Sequence, residues 1–390
     1  MIDAARQNEM QRAFAERFDR APGVWVRAPG RVDAMGSHTD YNDGFVLTLS
    51  IDRDTWIAAA PRADGLVRVE SANLDGRAEF DIDCILADVS REWPVYFQSV
   101  AALLSQSGYR LRGCDALVHG TLPIASGLSS SASLEAATAT LFAQLSGWTM
   151  EPVAMAQLCQ RAENEIVGVN CGILDQYSSI LGEAGAALLL DCRNLTHTIA
   201  PIPAGLRPVI CNTLARRELT GSEYGERRAS CEAAARALAE HLPRVTALRD
   251  VDAEAFARFE DELEPTVARR SRFVIEENDR VHELAAAFVG DDRAAIGRIC
   301  ERSFAGARDL FEITTAPMES MFEAMTRAPG VVGARQAGAG FGGCMLALVE
   351  ASAVERFVAS TSDAYARATG TRPEIYPVET AAGAGPLLPG

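Results

Sequence analysis

The sequence predicts an α+β fold in two domains, and three observations carry that expectation. Segments patterned as strands and as helices are mixed without the regular alternation of a doubly wound sheet. At 390 residues the chain is long for one core and comfortable for two. A largely helical stretch, from Ser222 to Met325, separates mixed segments on either side.

Taken in order, "FVLTLSIDRDTWIAAAP" suits one strand or a strand pair, and "LVRVES" and "RAEFDID" flank the turn-rich "ANLDG" as a hairpin. "CDALVHGTLP" reads as a strand entering a Gly/Ser loop. The Ala-rich helix "ASLEAATATLFAQL" follows, with Leu134, Ala137, Leu141 and Leu145 on one face. A second helix, "PVAMAQLCQRAENEIVG", precedes a short loop and "LDQYSSILG". "AALLLDC" and "RPVICNT" are buried strands before the helical stretch. Beyond it "GVVGARQAG" and "CMLALVE" flank a glycine turn, "SAVERFVASTSDAYARA" is a helix and "PEIYPVE" a closing strand. The segment "PIPAGLRP" places the domain boundary, giving 1–205 and 206–390.

Composition narrows the function. A formal charge of −16 opposes a nucleic-acid surface, which needs many cationic phosphate contacts, but leaves room for a small phosphorylated ligand. No apolar run is long enough to span a membrane, and the charged amphipathic N-terminus lacks a signal core, so a cytoplasmic location is expected. The nine cysteines show no metal-binding spacing and read as free thiols. All 37 basic residues are arginine. With no lysine there is no Schiff base and no Walker lysine, so any ATP must be held by another device.

Three stretches carry chemistry. "LPIASGLSSSASLEAA" brings Gly127 and the serines Ser129, Ser130 and Ser131 to a helix start, where unpaired amides and partial positive charge favour phosphate. The plainer reading is a simple N-cap. "GAGFGGC", from Gly338, reads by itself as a tight hairpin and gains meaning only by meeting the first loop in space. Glu163 and Asp175 could hold magnesium and accept a hydroxyl proton. Spacing alone favours a solvated helix face for Glu163 and an N-cap for Asp175. Separately, "PGRVDAMGSHTDYNDG" crowds hydrogen-bonding side chains into a short, turn-rich segment.

In this order the stretches resemble the GHMP small-molecule kinases, and among them the galactokinases. "GRVDAMGSHTDYNDGFVL" is similar to the galactokinase signature, "GLSSSASLEAA" to the ATP-phosphate loop and "GARQAGAGFGGC" to the third, glycine-rich motif. "AENEIVGVNCGILDQ" and "NTLARRELTGSEYGERRASCEAA" match further runs. The resemblance implies an N-terminal α+β domain like ribosomal protein S5, a ferredoxin-like C-terminal domain and a cleft between them. It implies ATP, Mg2+ and a sugar phosphorylated at its anomeric hydroxyl, in a monomer or weak homodimer. By position it makes Asp175 the catalytic aspartate and Arg31 the arginine that keeps it ionised. Ser130 and Glu163 become magnesium ligands. Trp93, Gly127, Ser129, Ser130, Ser131, Ala132, Gly338 and Gly340 become ATP contacts. Ser37, His38, Asp40, Gly172 and Tyr224 become sugar contacts.

Two departures bear on the sugar. Ser37 stands where galactokinases carry a glutamate expected to bind the hydroxyl on the sixth carbon, which admits galactose, L-arabinose or galacturonate. Asp33 replaces the usual asparagine, as in L-arabinokinases. A rival class is a sugar sensor on this scaffold that binds both ligands without transfer; the complete serine loop, Asp175 and Arg31 favour an enzyme.

Overall fold

The computed structural model describes residues 3–86, 89, 92–123, 127–215 and 221–387; part of the "NTLARRELTGSEYGERR" run and of the serine loop lies outside them. Helix α1 (Ala4–Phe18), capped by the Asp3 carboxylate, leads into strands β1 (Val24–Met35), β2 (Phe45–Pro61), β3 (Leu66–Ser71) and β4 (Arg77–Asp81). Then come α2 (Pro94–Gln106), β5 (Cys114–Gly120), α3 (Ser130–Ser146) and α4 (Pro152–Ala162), which continues as a π-helical turn, Glu163–Val167. Helix α5 (Leu174–Leu181) and strands β6 (Ala186–Asp191), β7 (Thr196–Pro201) and β8 (Leu206–Asn212) follow. Four of the next elements are the helices α6 (Gly221–Ala239), α7 (Ala253–Phe259), α8 (Pro265–Val289) and α9 (Arg293–Asp309). The chain ends through α10 (Ala316–Thr326), β9 (Val331–Gln336), β10 (Cys344–Glu350), α11 (Val354–Thr369), β11 (Glu374–Pro377) and β12 (Gly385–Pro386).

An eight-stranded sheet runs β12-β1-β2-β5-β3-β4, with β6 joining β2 and β7 joining β6. Strand β2 is one continuous strand of 17 residues, not a pair, and its length explains the branch. Its first residues pair with β6 and its later ones with β5, while β1 follows it along most of its length. β3 and β4 form the expected hairpin, and β3 lies parallel to β5. Helices α2, α3 and α4 cover one face of this sheet. On the opposite face α1 buries Met10 and Phe14 against Trp25 and Trp56, where each large apolar side chain contributes about 1.5–3 kcal/mol.

The second sheet is antiparallel, in the order β11-β8-β10-β9. Strand β10 is buried on both faces, and its period of two divides its side chains cleanly. Met345, Ala347 and Val349 pack under α10 and α11. Cys344, Leu346 and Leu348 join a cluster shared with β1, β2, α8 and α9. That shared cluster welds the two sheets.

The sequence reading needs two corrections. Pro29–Met35 is not turn but the end of β1, paired with β2 through register breaks between Pro29 and Arg31 and between Asp33 and Met35. Its polar side chains are those of a strand facing a cavity. Helix α3 does not present one apolar face. It is buried nearly all round, because the sheet, α2, α4 and α5 all pack on it.

Candidate active site

The end of β1, the start of α3, the loop before α5, the start of α6 and the β9–β10 turn converge on a cavity of about 640 Å3. The register breaks in β1 re-aim its last residues, and Arg31 and Asp33, two apart, reach the same side. Arg31 is 7% exposed. Its Nη2 lies 2.5 Å from Asp175 Oδ1, its Nε 2.9 Å from Asp33 Oδ1, and its Nη1 donates to the Gly127 carbonyl at 2.7 Å. Burial by itself would weaken the guanidinium's hold on its proton, but Asp175 and then Asp33 outweigh it and raise the pKa.

Asp175 sits in the first turn of α5, behind an Ile173 cap, and its side chain stays 27% exposed to the cavity. It is therefore not the N-cap that spacing favoured. Asp40 lies against Gly172, where an added Cβ would come within 2.0 Å of Asp40 Oδ2, so glycine there admits that approach. Burial, followed by Asp175 and Asp33, pushes the Asp40 carboxyl up to about 6.

His38 adopts a left-handed backbone, φ 66°, just after Gly36 at φ 99°. Burial pulls its pKa down to about 4, so the ring is neutral at pH 7. Nε2 faces the Ala339 carbonyl at 2.9 Å, which can only accept, so Nε2 carries the proton. Nδ1 then accepts from the Tyr41 hydroxyl at 2.8 Å. Both ring nitrogens are engaged by protein, and His38 shapes the cavity with its ring. Tyr224 lies 5.5 Å from that ring, with its hydroxyl pKa raised chiefly by burial. Ser37 is 2% exposed and does not line the cavity. Its hydroxyl accepts from Arg335 Nη2 at 2.9 Å and donates to the Gly338 carbonyl at 3.1 Å.

Gly127, Ser129, Ser130 and Ser131 line the cavity beside Gly338 and Ala339, so the two glycine-rich stretches do meet. Ser129 precedes the helix in a left-handed conformation, φ 59° and ψ 49°, and makes no side-chain cap. Its buried hydroxyl has no partner among the described residues. A simple N-cap is thereby excluded, and free hydroxyls and amides remain at the helix start, where partial positive charge suits an anion. Ser133, four residues on, turns inward instead and donates to the Ala28 carbonyl, tying α3 to β1. Ala132 is fully buried, and Gly340, at φ 82°, packs on Ile313 away from the cavity.

Glu163 is 5% exposed, not solvated. It ends the buried face of α4, where a π-helical turn of the kind that often marks functional sites begins, and Ser131, in the first turn of α3, bonds it. Burial first and Asp175 second raise its pKa. Among the described residues no group of three or more His, Cys, Asp and Glu could hold a metal. One carboxylate beside serine hydroxyls nonetheless fits a hard divalent cation that takes most of its oxygens from phosphate and water. Trp93 lies outside the cavity. Its Nε1 donates to the Asp75 carbonyl at 2.8 Å, and it borders a separate hollow with Tyr96, Ile166 and Val167, while Gly168, next in the chain, lines the cavity.

Sequence reasoning missed Asp33 as a charge paired with Arg31, Cys171, and the buried amide of Gln176. Cys171 donates to Glu163 Oε2 at 3.3 Å, and Gln176 to the same oxygen at 2.6 Å. The adjacency of Gln176 to Asp175 was the available signal.

Comparison with known proteins agrees with this geometry. Residues 95–183 match the GHMP kinases N terminal domain, 12–61 the galactokinase galactose-binding signature and 284–366 the GHMP kinases C terminal domain. A galactokinase of Chloroflexus aggregans is 42% identical over 96% of this chain and 95% of its own. One from Roseiflexus sp. is 40% identical over 97% of each. The crystal structure of Lactococcus lactis galactokinase complexed with galactose superposes with a TM-score of 0.92 at 33% identity, over 98% of this chain and 100% of that one. A mevalonate kinase, at 15% identity and a TM-score of 0.65, shares the fold alone. With the two-sheet architecture, the serine loop and near full-length likeness at this identity, the chain belongs to the galactokinase family of the GHMP kinases.

Proposed function

We propose that the protein transfers the γ-phosphoryl group of ATP to the anomeric hydroxyl of galactose. The observation that carries this reading is the Arg31–Asp175 pair, set at 2.5 Å in one cavity with the Ser129–Ser131 helix start. Asp175 accepts the anomeric proton. Arg31 fixes that carboxylate and, through the Gly127 carbonyl, its position relative to the phosphate loop. Ser129, Ser130 and the first amides of α3 receive the phosphates, with Gly338 opposite; the hollow beside Trp93 receives the adenine. Glu163 and Ser130 would hold Mg2+, which supplies charge neutralisation on the phosphates. Alignment and electrostatics then account for most of the catalysis, as in phosphoryl transfer generally.

Asp40, Tyr224 and the backbone at Gly172 offer the sugar its partners, and each buried polar group left unmatched by a wrong sugar costs about 1–3 kcal/mol. Three aspartates, Asp33, Asp40 and Asp175, face a single Arg31 in the cavity. That balance opposes the anionic galacturonate. L-Arabinose remains the second reading, favoured by Ser37 being turned to Arg335 with no acidic side chain in its place. We also read the chain as divided after residue 205, cytoplasmic, and monomeric or weakly dimeric. Nine free cysteines support a reducing compartment.

ADP release with ATP and Mg2+ across galactose, L-arabinose, galacturonate and glucose tests the reading, with Asp175→Asn as control. Galactose is expected to lead by at least tenfold in kcat/KM, with the variant at least a hundredfold slower. Preference for L-arabinose installs the second reading. Binding of sugar and ATP without ADP release sinks both and makes the protein a sensor.

A further inference from the structure

Helix α3 carries a single charge along its 17 residues, Glu135, and that side chain is fully buried. Among the described residues no cation pairs with it or with Glu163. What it meets is Gln176, also fully buried, whose Nε2 donates to Glu135 Oε2 at 2.9 Å and to Glu163 Oε2 at 2.6 Å. One amide thus spends both of its hydrogens on two carboxyl groups from two different elements. Its own position is next to Asp175 on α5.

An ionised carboxylate in such a place is costly, and two further atoms are stranded: Glu135 Oε1 and Gln176 Oε1 have no partner among the described residues. The two orphans belong to one bonded pair. A proton on Glu135 supplies the missing donor, because an acid and an amide close a ring in which each donates once and accepts once. Burial, and next the charge of Glu163, drive the Glu135 pKa in that direction, well above the usual carboxylate range.

We propose that Glu135 is a positioning residue, a neutral carboxylic acid that fixes the Gln176 amide and through it the orientation of Glu163 toward the phosphate-bound metal. This rests on the reading of Glu163 as a metal-facing carboxylate. Glu135 touches neither substrate nor metal. Its role is to leave Gln176 one orientation, amide hydrogens toward Glu163 and carbonyl toward the acid proton. Without it the amide can turn and present its oxygen to the Glu163 carboxylate, which repels it.

The test compares wild type with Glu135→Gln, Glu135→Leu and Gln176→Leu, each shown to melt cooperatively. Turnover is titrated with Mg2+ at saturating ATP and sugar. Binding of Mn2+ in the presence of a non-hydrolysable ATP analogue is followed separately by electron paramagnetic resonance. The two leucine variants are expected to weaken Mn2+ binding and raise the Mg2+ requirement at least tenfold, with the sugar KM within threefold of wild type. Glu135→Gln, which can close the same ring with an amide, should restore metal binding to within threefold. Infrared difference spectra should show a protonated-carboxyl stretch in wild type that Glu135→Gln loses. Metal affinity unchanged in both leucine variants overturns the proposal. So does a Glu135→Gln protein as impaired as Glu135→Leu, since that outcome means a negative charge is required. If Glu135→Leu does not fold, Gln176→Leu with the Glu135→Gln rescue decides alone. A wild-type protein whose turnover needs no divalent metal overturns the reading of Glu163 first, and this inference with it.

Discussion

At the scale of single residues the cavity is built against its own stability. Asp40 is held close to Asp175 and Asp33 with one guanidinium to serve all three, and its carboxyl titrates near 6 rather than near 3.8. Above pH 6 the carboxylate is ionised both in the unfolded chain and in the fold, and the fold bears the whole penalty. Below about pH 4 it is protonated in both, and the penalty vanishes. Asp40→Asn should therefore stabilise the unliganded protein by about 1–2 kcal/mol at pH 8, a gain that shrinks as the pH falls toward 4.5. The same change should raise the sugar KM, a trade between stability and function seen at many sites. Urea unfolding at several pH values checks it; a variant less stable at pH 8 than at pH 5, relative to wild type, would contradict the assignment.

At the scale of elements, the serine loop leaves a helix start without a side-chain cap. Ser129 takes a left-handed backbone that costs an L-residue about 1–2 kcal/mol, and spends its hydroxyl on no cap. A helix that needed only termination would place a capping side chain there instead. Ser129→Gly should leave the melting temperature unchanged or raise it by a degree or more, because glycine accepts that backbone freely. The KM for ATP should meanwhile rise several-fold. A clear loss of stability would mean that the hydroxyl is structural. Glu163 continues the buried face of α4, four residues after Cys159 and seven after Ala156, and the π-helical turn opens at it. No pattern of residue types in "ENEIV" announces that turn.

At the scale of the whole molecule, one buried ionic cluster ties the two sheets together behind the cavity. Arg335 of β9 is fully buried. It donates to the Asp33 carbonyl, to Ser37 and Ser303, and to Glu277 of α8 at 2.8 Å. Glu277, equally buried, also accepts from Arg280 at 2.7 Å and from the Gly36 amide at 3.2 Å. Paired, such charges offset one another; unpaired, they do not. Glu277→Ala should destabilise the protein by about 3–5 kcal/mol in urea unfolding, and Arg335→Ala added to it should recover part of that loss. Full additivity of the two changes would show that the pair is not coupled.

Much of this was legible in the chain alone. Short, largely apolar runs identified the strands at β5, β6, β8, β10 and β11, and the ordered motifs identified the family. The residue types of the cavity, Arg31, Asp40, Asp175 and the serines, were all visible in the sequence. What it could not show depends on register and burial, which are properties of neighbours far away in the chain. Only the tertiary structure turned Pro29–Met35 from a loop into the end of a strand, because its partner is β2. Only packing committed Ser37 to Arg335, 298 residues on, rather than to the cavity. Helix α3 buries Glu135 because four neighbouring layers cover it, and Gln176 then joins it to Glu163. Residue chemistry is written locally, but which groups lose their water, and which partner each then meets, is decided by the fold as a whole.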